Sequence, residues 1–351
     1  MIIYTRSPYF ITVDETGQLG SKIELRIWNG TGSAPTNATY TFSKPIASAT
    51  QIENIYNISP FVKEYIDNVA PIYAAGETDS DLMWANVQVK RWKETEEGYS
   101  LLDTTTYLGT NGYTAFTDGY NYTNASNTFM LLSDNSKEIK YDITKSIPYV
   151  NVLISPEAGD VITATYKDLR GRNELVVGYT ETKGMLKIPL TTTSVKYNKG
   201  NTLTISYNDT DFVYNVKPIC EPKYSPVICS YINRFGGWQF LTFFKTRIDN
   251  INVKGSNYNL LQDSIDYNTS KGQSKSFNIN GKQTIKLSSG FVPENYSDLI
   301  QDLLLSETVL LDGKPVEVKT QSTTLKTSLQ DRNINYEIDF EYAFNLINNV
   351  V

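Results

Sequence analysis

Short alternating runs, each ended by turn residues, fill most of the chain and leave it little choice but to build sheets. Lys22-Ile23-Glu24-Leu25-Arg26-Ile27-Trp28 puts Ile23, Leu25 and Ile27 on one face before Asn29-Gly30 turns the backbone. The stretch 84–92 is a second such run, and Asn151-Val152-Leu153-Ile154 is a short run of the fully buried type. Runs at 161–166, 174–179, 203–207 and 212–216 follow at strand spacing, the last two facing each other across Asn208-Asp209-Thr210-Asp211. No helical pattern intervenes, which predicts antiparallel pairing rather than strand–helix–strand units. Two segments alone read as helices. Ser59 is expected to cap one, with Pro60 at its first position and Phe61/Tyr65 and Val62/Ile66 four residues apart. The other opens at Pro293 and carries Tyr296, Leu299, Ile300, Leu303 and Leu304 as one apolar stripe. The expected fold is mainly β: tandem antiparallel β-sandwich or barrel domains with two short helices.

A chain of 351 residues can build two to three cores. Residues 1–147 read as an N-terminal β-sandwich domain. Its 101–127 stretch, rich in Thr, Asn, Gly and Tyr, predicts hairpins and long loops that form an exposed arm. Residues 148–222 read as a small β-sandwich ending in a proline-bearing connector at 218–226. Residues 223–351 read as a C-terminal β-barrel or sandwich with one amphipathic helix. Asn280-Gly281-Lys282 and Asp312-Gly313-Lys314 lie between β-runs and lack the earlier glycine of a phosphate loop, so both predict type I′ hairpin turns.

Composition narrows the chemistry. The chain has no histidine, which removes Ser-His-Asp and Cys-His catalysis, histidine-ligated metals and an imidazole switch. Thirty-two basic against 38 acidic residues leave a net charge of −6, so the whole chain is no polycation seeking phosphate. Asp79/Asp81, Glu94/Glu96/Glu97 and Asp209/Asp211 lie in hydrophilic stretches and read as solvated turns. They lack both the aromatic surroundings of a glycosidase pair and the order of a calcium loop. The expectation is a non-enzyme with no catalytic residue, no cofactor and no metal. Cys220 and Cys229 cannot close a zinc site by themselves and read as buried free thiols ahead of a hairpin-like bridge. Met1 to Pro8 lacks the pattern of a signal peptide, and no apolar run approaches the ~20 residues of a membrane span. A cytoplasmic origin without a membrane partner is expected. Asn-X-Ser/Thr triplets such as Asn37-Ala38-Thr39 then follow from composition alone.

The sharpest local feature is Ser230-Tyr231-Ile232-Asn233-Arg234-Phe235-Gly236-Gly237-Trp238-Gln239-Phe240-Leu241-Thr242-Phe243-Phe244-Lys245. Asn233 to Gly237 supplies a turn whose glycines tolerate positive φ or close backbone approach. Beyond it Trp238, Phe240 and Phe244 share one face and Leu241 and Phe243 the other, so both faces must be covered. An interior strand is the first reading and a subunit interface the second. Basic residues do not interleave with the rings as a nucleic-acid platform requires. The 25 tyrosines outnumber phenylalanine and tryptophan together, which suits surfaces that are sometimes wet and sometimes covered, or reflects β-propensity alone. The candidate interface comprises Tyr231, Arg234, Phe235, Trp238, Phe240, Phe243 and Phe244, with Tyr113, Phe116, Tyr120 and Tyr122 from the loop-rich stretch.

Four stretches carry a resemblance: Arg6-Ser7-Pro8-Tyr9-Phe10-Ile11, the helix entry Tyr56-Asn57-Ile58-Ser59-Pro60-Phe61, the Asn233-Arg234-Phe235-Gly236 segment with its aromatic strand, and the helix-then-hairpins region at 293–340. In these the chain resembles virion structural proteins of tailed bacteriophages infecting Bacteroidetes, the crAss-like phages in particular. The resemblance implies a ring, collar or tail-barrel component, self-associating around a DNA conduit and touching neighbouring tail or neck proteins. It carries over no catalytic residue, and DNA would pass without specific binding. A receptor- or glycan-binding virion module is the competing class, with Trp28, Trp84 and Trp92 as its candidate stacking platform. A glycan hydrolase using carboxylates alone comes third.

Overall fold

The computed structural model describes residues 1–47, 53–71, 78–122, 129–133, 138–142, 144–145, 147–155, 161–170, 174–179, 183–192, 199–219, 225–261, 265, 268–270, 272–322 and 334–348. Strands take 57% and helices 8%, so the fold is mainly β with sandwich-like domains and two helices, as the alternation predicts.

In the first part of the chain β1 (Ile2–Tyr4), β2 (Phe10–Asp14), β3 (Gly20–Trp28), β4 (Tyr40–Pro45), β5 (Glu53–Asn57), α1 (Ser59–Lys63), β6 (Trp84–Thr95) and β7 (Gly98–Thr110) follow one another. Five of these strands form a sheet in the order β1-β7-β6-β3-β4, and β2 pairs with β5 in a second, two-stranded sheet. The alternation read in the sequence now has its cause. Ile23, Leu25 and Ile27 meet Val87 and Val89 of β6 and Ile11, Val13 and Tyr56 of the small sheet in one core. β1 runs parallel to β7, against the antiparallel expectation, because it is added at the sheet edge by residues that precede the meander. Ser59 does not cap α1. Ile58 occupies the cap position and Pro60 the first turn, while the Ser59 hydroxyl donates to the Ser7 carbonyl at 2.6 Å and ties the helix to the N-terminal strands.

The next group holds β8 (Phe129–Leu131), β9 (Glu138–Tyr141), β10 (Tyr149–Ile154), β11 (Ile162–Asp168), β12 (Glu174–Tyr179), β13 (Gly184–Pro189), β14 (Asn201–Tyr207) and β15 (Thr210–Pro218). The order β13-β10-β8 makes one sheet and β12-β11-β14-β15-β9 the other, and their inner faces share a core. Pairing therefore groups β8 and β9 with the strands that follow them, although both precede the boundary expected at 147/148. Asn208 and Asp209 both take positive φ and close the β14–β15 hairpin as expected.

The last group holds β16 (Val227–Ile232), β17 (Trp238–Phe243), β18 (Arg247–Asn259), β19 (Ser274–Val292), α2 (Ser297–Leu304), β20 (Val309–Leu311), β21 (Lys314–Val318) and β22 (Ile334–Tyr342). All seven strands form one sheet, β17-β16-β20-β21-β22-β19-β18, against which α2 buries Leu299, Ile300 and Leu303. Asp312-Gly313 is the expected two-residue turn, with φ of 45° and 79°. Asn280-Gly281 is not a turn. Gly281 pairs with Val253 inside β19, and the positive φ nearby, at Asn278, sits opposite the register shift between Lys254 and Ser256. The Asn-rich stretch bulges and twists rather than reverses. A fourth apolar cluster joins all three groups, with Tyr4, Trp84 and Leu108 from the first, Met130, Leu132 and Leu153 from the second, and Ile232, Trp238 and Phe240 from the third.

Candidate interface: the junction, its cleft and a projecting ribbon

The Asn233–Gly237 turn is where the three groups meet. Asn233 Oδ1 accepts from the backbone N–H of Phe235 and Gly237, and its Nδ2 donates to the Leu132 carbonyl at 2.7 Å. Thr110 Oγ1 donates to the Phe235 carbonyl, and the Tyr113 N–H to the Arg234 carbonyl. Gly236 has φ +86°, and a Cβ there would stand 2.8 Å from Thr110 Cβ and 2.9 Å from the Asn111 nitrogen. At Gly237 it would stand 2.7 Å from Leu132 Cβ. Two glycines thus let the backbones of all three groups touch. Asn151, fully buried, accepts from the Trp238 N–H at 2.8 Å and donates to Asp79 at 2.8 Å, while Tyr149 donates to the same carboxylate. Asp79, expected in a solvated turn, is a structural acceptor.

The junction explains the aromatic strand. Trp238 and Phe240 face the central cluster, whereas Leu241 and Phe243 face the core of the seven-stranded sheet. Tyr231, Trp238, Phe240 and Phe243 are buried within the single chain, and the Tyr231 hydroxyl donates to the Leu299 carbonyl. These four cannot be surfaces of a free subunit. The interior reading of the strand holds, and the interface assignment for them is corrected, because the same chain already covers both faces. Phe244 is half-buried, with Lys140 and Lys245 over its ring. Cys229 is a free, fully buried thiol whose pKa burial pushes up; Cys220 lies outside the described residues.

In the loop-rich stretch the described residues, 101–122, do not project as the arm the sequence suggests. Residues through Thr110 belong to β7, and Asn121 clamps the Phe10 backbone, accepting from its N–H at 2.6 Å and donating to its carbonyl at 2.7 Å. Tyr120 stands edge-on to Phe10. Phe116, Tyr120 and Tyr122 remain exposed, whereas Tyr113 is half-buried. Residues 123–127 lie outside the described residues. The tryptophan platform does not form either. Trp84 is fully buried, Trp28 donates to the Gly32 carbonyl, and Trp92 lies under Lys22 Nζ at 4.4 Å.

Beside the junction lies a cleft of about 780 Å³ to which all three groups contribute. One wall is aromatic: Phe129 stacks on Tyr207 at 4.6 Å and on Phe212 at 5.5 Å. The facing wall is polar, with Arg234, Asp298, Gln301 and Asp302. The Tyr113 hydroxyl donates to Asp302 Oδ1 at 2.9 Å, and Arg6 covers the Tyr113 ring. Burial raises the Asp302 carboxyl above the usual range, with the Tyr113 and Arg234 hydrogen bonds opposing it.

The element that does project was not singled out in the sequence. β22 pairs with β19 only from Thr284 to Val292, so beyond that point 251–259 and 274–283 continue as a two-stranded ribbon, flanked at its base by the segment after β22. At the usual rise this ribbon reaches roughly 30 Å. All 13 residues of β18 are exposed. Ile251 and Val253, each 63% exposed, continue the face that carries buried Ile285 and Leu287 at the ribbon's base. Leu346 and Ile347 lie along it through hydrogen bonds to Gly281 and Asn280. Ile251-Asn252-Val253 and Phe277-Asn278-Ile279 do alternate, but Asn280-Gly281 reads as a turn and hides the continuous β19 that carries the ribbon outward.

No protein-family model and no curated protein matches the chain. Among solved structures it is similar to the calcium-binding domain CBD12 of CALX1.1, at 10% identity and a TM-score of 0.19, over 59% of this chain and 75% of that one. A likeness of that size carries no argument. Among the described residues no group of three or more Asp, Glu or Cys side chains is placed to hold a metal.

Proposed function

We propose that this chain is a structural virion protein that self-associates as a multi-copy ring, collar or tail-barrel level around the DNA conduit of a tailed phage, with no enzymatic activity. The projecting ribbon carries this reading. An isolated two-stranded hairpin is marginal in water, and one that exposes Ile251, Val253, Tyr258, Phe277 and Ile279 gains stability only when something covers it. A second copy of the chain supplies that cover by a head-to-tail contact, which closes into a ring when the rotation allows. The absence of histidine and the resemblance of the Asn233–Gly237 segment to crAss-like virion proteins favour the same reading. Native mass measurement and negative-stain imaging of the full chain test it. Closed particles of regular copy number are expected, and I251S/V253S should release folded monomers, because neither side chain belongs to a core. A wild-type chain that stays monomeric at high micromolar concentration, and is found in particles only on peripheral fibres, would replace this reading with receptor binding.

A further inference from the structure

We infer that the cleft beside the junction is the socket for the ribbon of a second copy of this chain. The inference rests on the self-association reading above and names the surface that completes it. The ribbon presents one compact epitope. Tyr258 and Phe277 meet edge to face at 5.6 Å, and Lys275, paired with Tyr258, shares their side of the hairpin. The cleft presents the stacked Phe129, Tyr207 and Phe212 on one wall. On the other, Asp302 is held by Tyr113 and the Arg234 backbone, and the acid that a lysine meets is Asp298, at the first turn of α2. Aromatic edges seat on aromatic faces, and a lysine carried beside them reaches acid on the far wall.

Charge favours a copy of the same chain over other partners. The strands 251–259 and 274–283 hold no acid, although Lys282 pairs with Glu341 of its own chain and the sequence joining the strands carries Asp263 and Asp266. Lys254 and Lys275 flank the aromatic pair, in a chain whose net charge is −6. Such a ribbon is drawn to the rest of its own kind. The chain's own ribbon contributes nothing to the lining of its own cleft, so ribbon and socket are distinct patches. Joining two distinct patches gives a heterologous contact, the type that builds rings. A cleft of this size takes two or three such side chains, not the whole ribbon; Ile251 and Val253 nearer the base bury elsewhere on the neighbour.

The test uses full-length variants and sedimentation to read self-association. K275E and D298K should each weaken it about tenfold, and the double charge swap should recover most of that loss. F212S, at a half-buried rim position, should act like K275E. Mixing F277C with F212C chains under mild oxidation should give a 277–212 cross-linked peptide, identified by mass. Cross-linking of F277C alone to itself would show a symmetric ribbon-to-ribbon contact and overturn the socket. If I251S/V253S abolishes assembly while D298K and F212S leave it unchanged, the socket fails and self-association stands. If the wild type never associates, the broader reading fails first. Saturable binding of a glycan, or retardation of duplex DNA, that D298K or K275E removes without touching assembly would assign these patches to other ligands and overturn the inference.

Discussion

Gly236 shows how much one missing atom can hold. Its positive φ alone would cost an alanine about 1 kcal/mol, as at Gly98, where φ is +115° and nothing stands within 4 Å of a new Cβ. At Gly236 the Cβ would also strike Thr110 and two backbone nitrogens, so G236A should cost roughly 3 kcal/mol or more against about 1 for G98A. Chemical denaturation of the two variants measures the gap, and equal losses would mean the junction yields easily. Asp302 makes a second test at this scale. Burial raises its carboxyl in the folded chain, so the folded state holds that proton more tightly than the unfolded one. Its contribution to stability is therefore full below the unfolded value and declines as pH climbs through the folded one. D302N keeps an acceptor for Tyr113 and removes the ionisation. Its melting temperature should gain on the wild type as pH rises from about 4 to 7. A difference that does not change with pH would show that burial has no hold on this carboxyl. The turn at Asn233–Gly237 was readable from its glycines. Its three-sided packing was not, because residues 110, 132 and 151 are distant in sequence.

At the scale of elements, the β alternation at 22–28 and the stripe on α2 were legible because one buried face writes a period into the sequence. The aromatic strand was legible as doubly covered, but not by whom: a neighbouring copy and a distant part of the same chain impose the same pattern. β18–β19 failed for the opposite reason. Ile251, Val253, Tyr258, Phe277 and Ile279 are all exposed in the single chain, so no core of its own imposes their alternation, and Asn280-Gly281 imitates a turn. Hydrogen exchange distinguishes these states. In I251S/V253S monomers the amides of 251–259 and 274–283 should exchange far faster than those of β22, and in wild-type assemblies they should slow by at least tenfold. Equal exchange in both would mean the ribbon has no partner.

At the scale of the whole molecule, the central apolar cluster of the described residues draws on all three groups, from Ile2 to Leu310. Such a chain should unfold as one unit, with tryptophan fluorescence and far-UV circular dichroism tracing the same transition. Asn151 is the stitch to cut. N151A leaves the Trp238 N–H buried without its acceptor, at a cost of about 2–4 kcal/mol. It should also separate the transitions, with fluorescence from the centre moving before the sheet signal. Coincident curves in N151A would place the coupling in the apolar cluster instead.

The ribbon's junction with the sheet has a mechanical consequence. Tension at its tip runs down both strands, and β19 can slide out only by shearing against β22. The ladder between Thr284 and Val292 must then fail together instead of unzipping one bond at a time. A sideways push meets only two strands and bends them. An extension of this design yields to misalignment while two parts are being brought together, and resists once they are pulled apart.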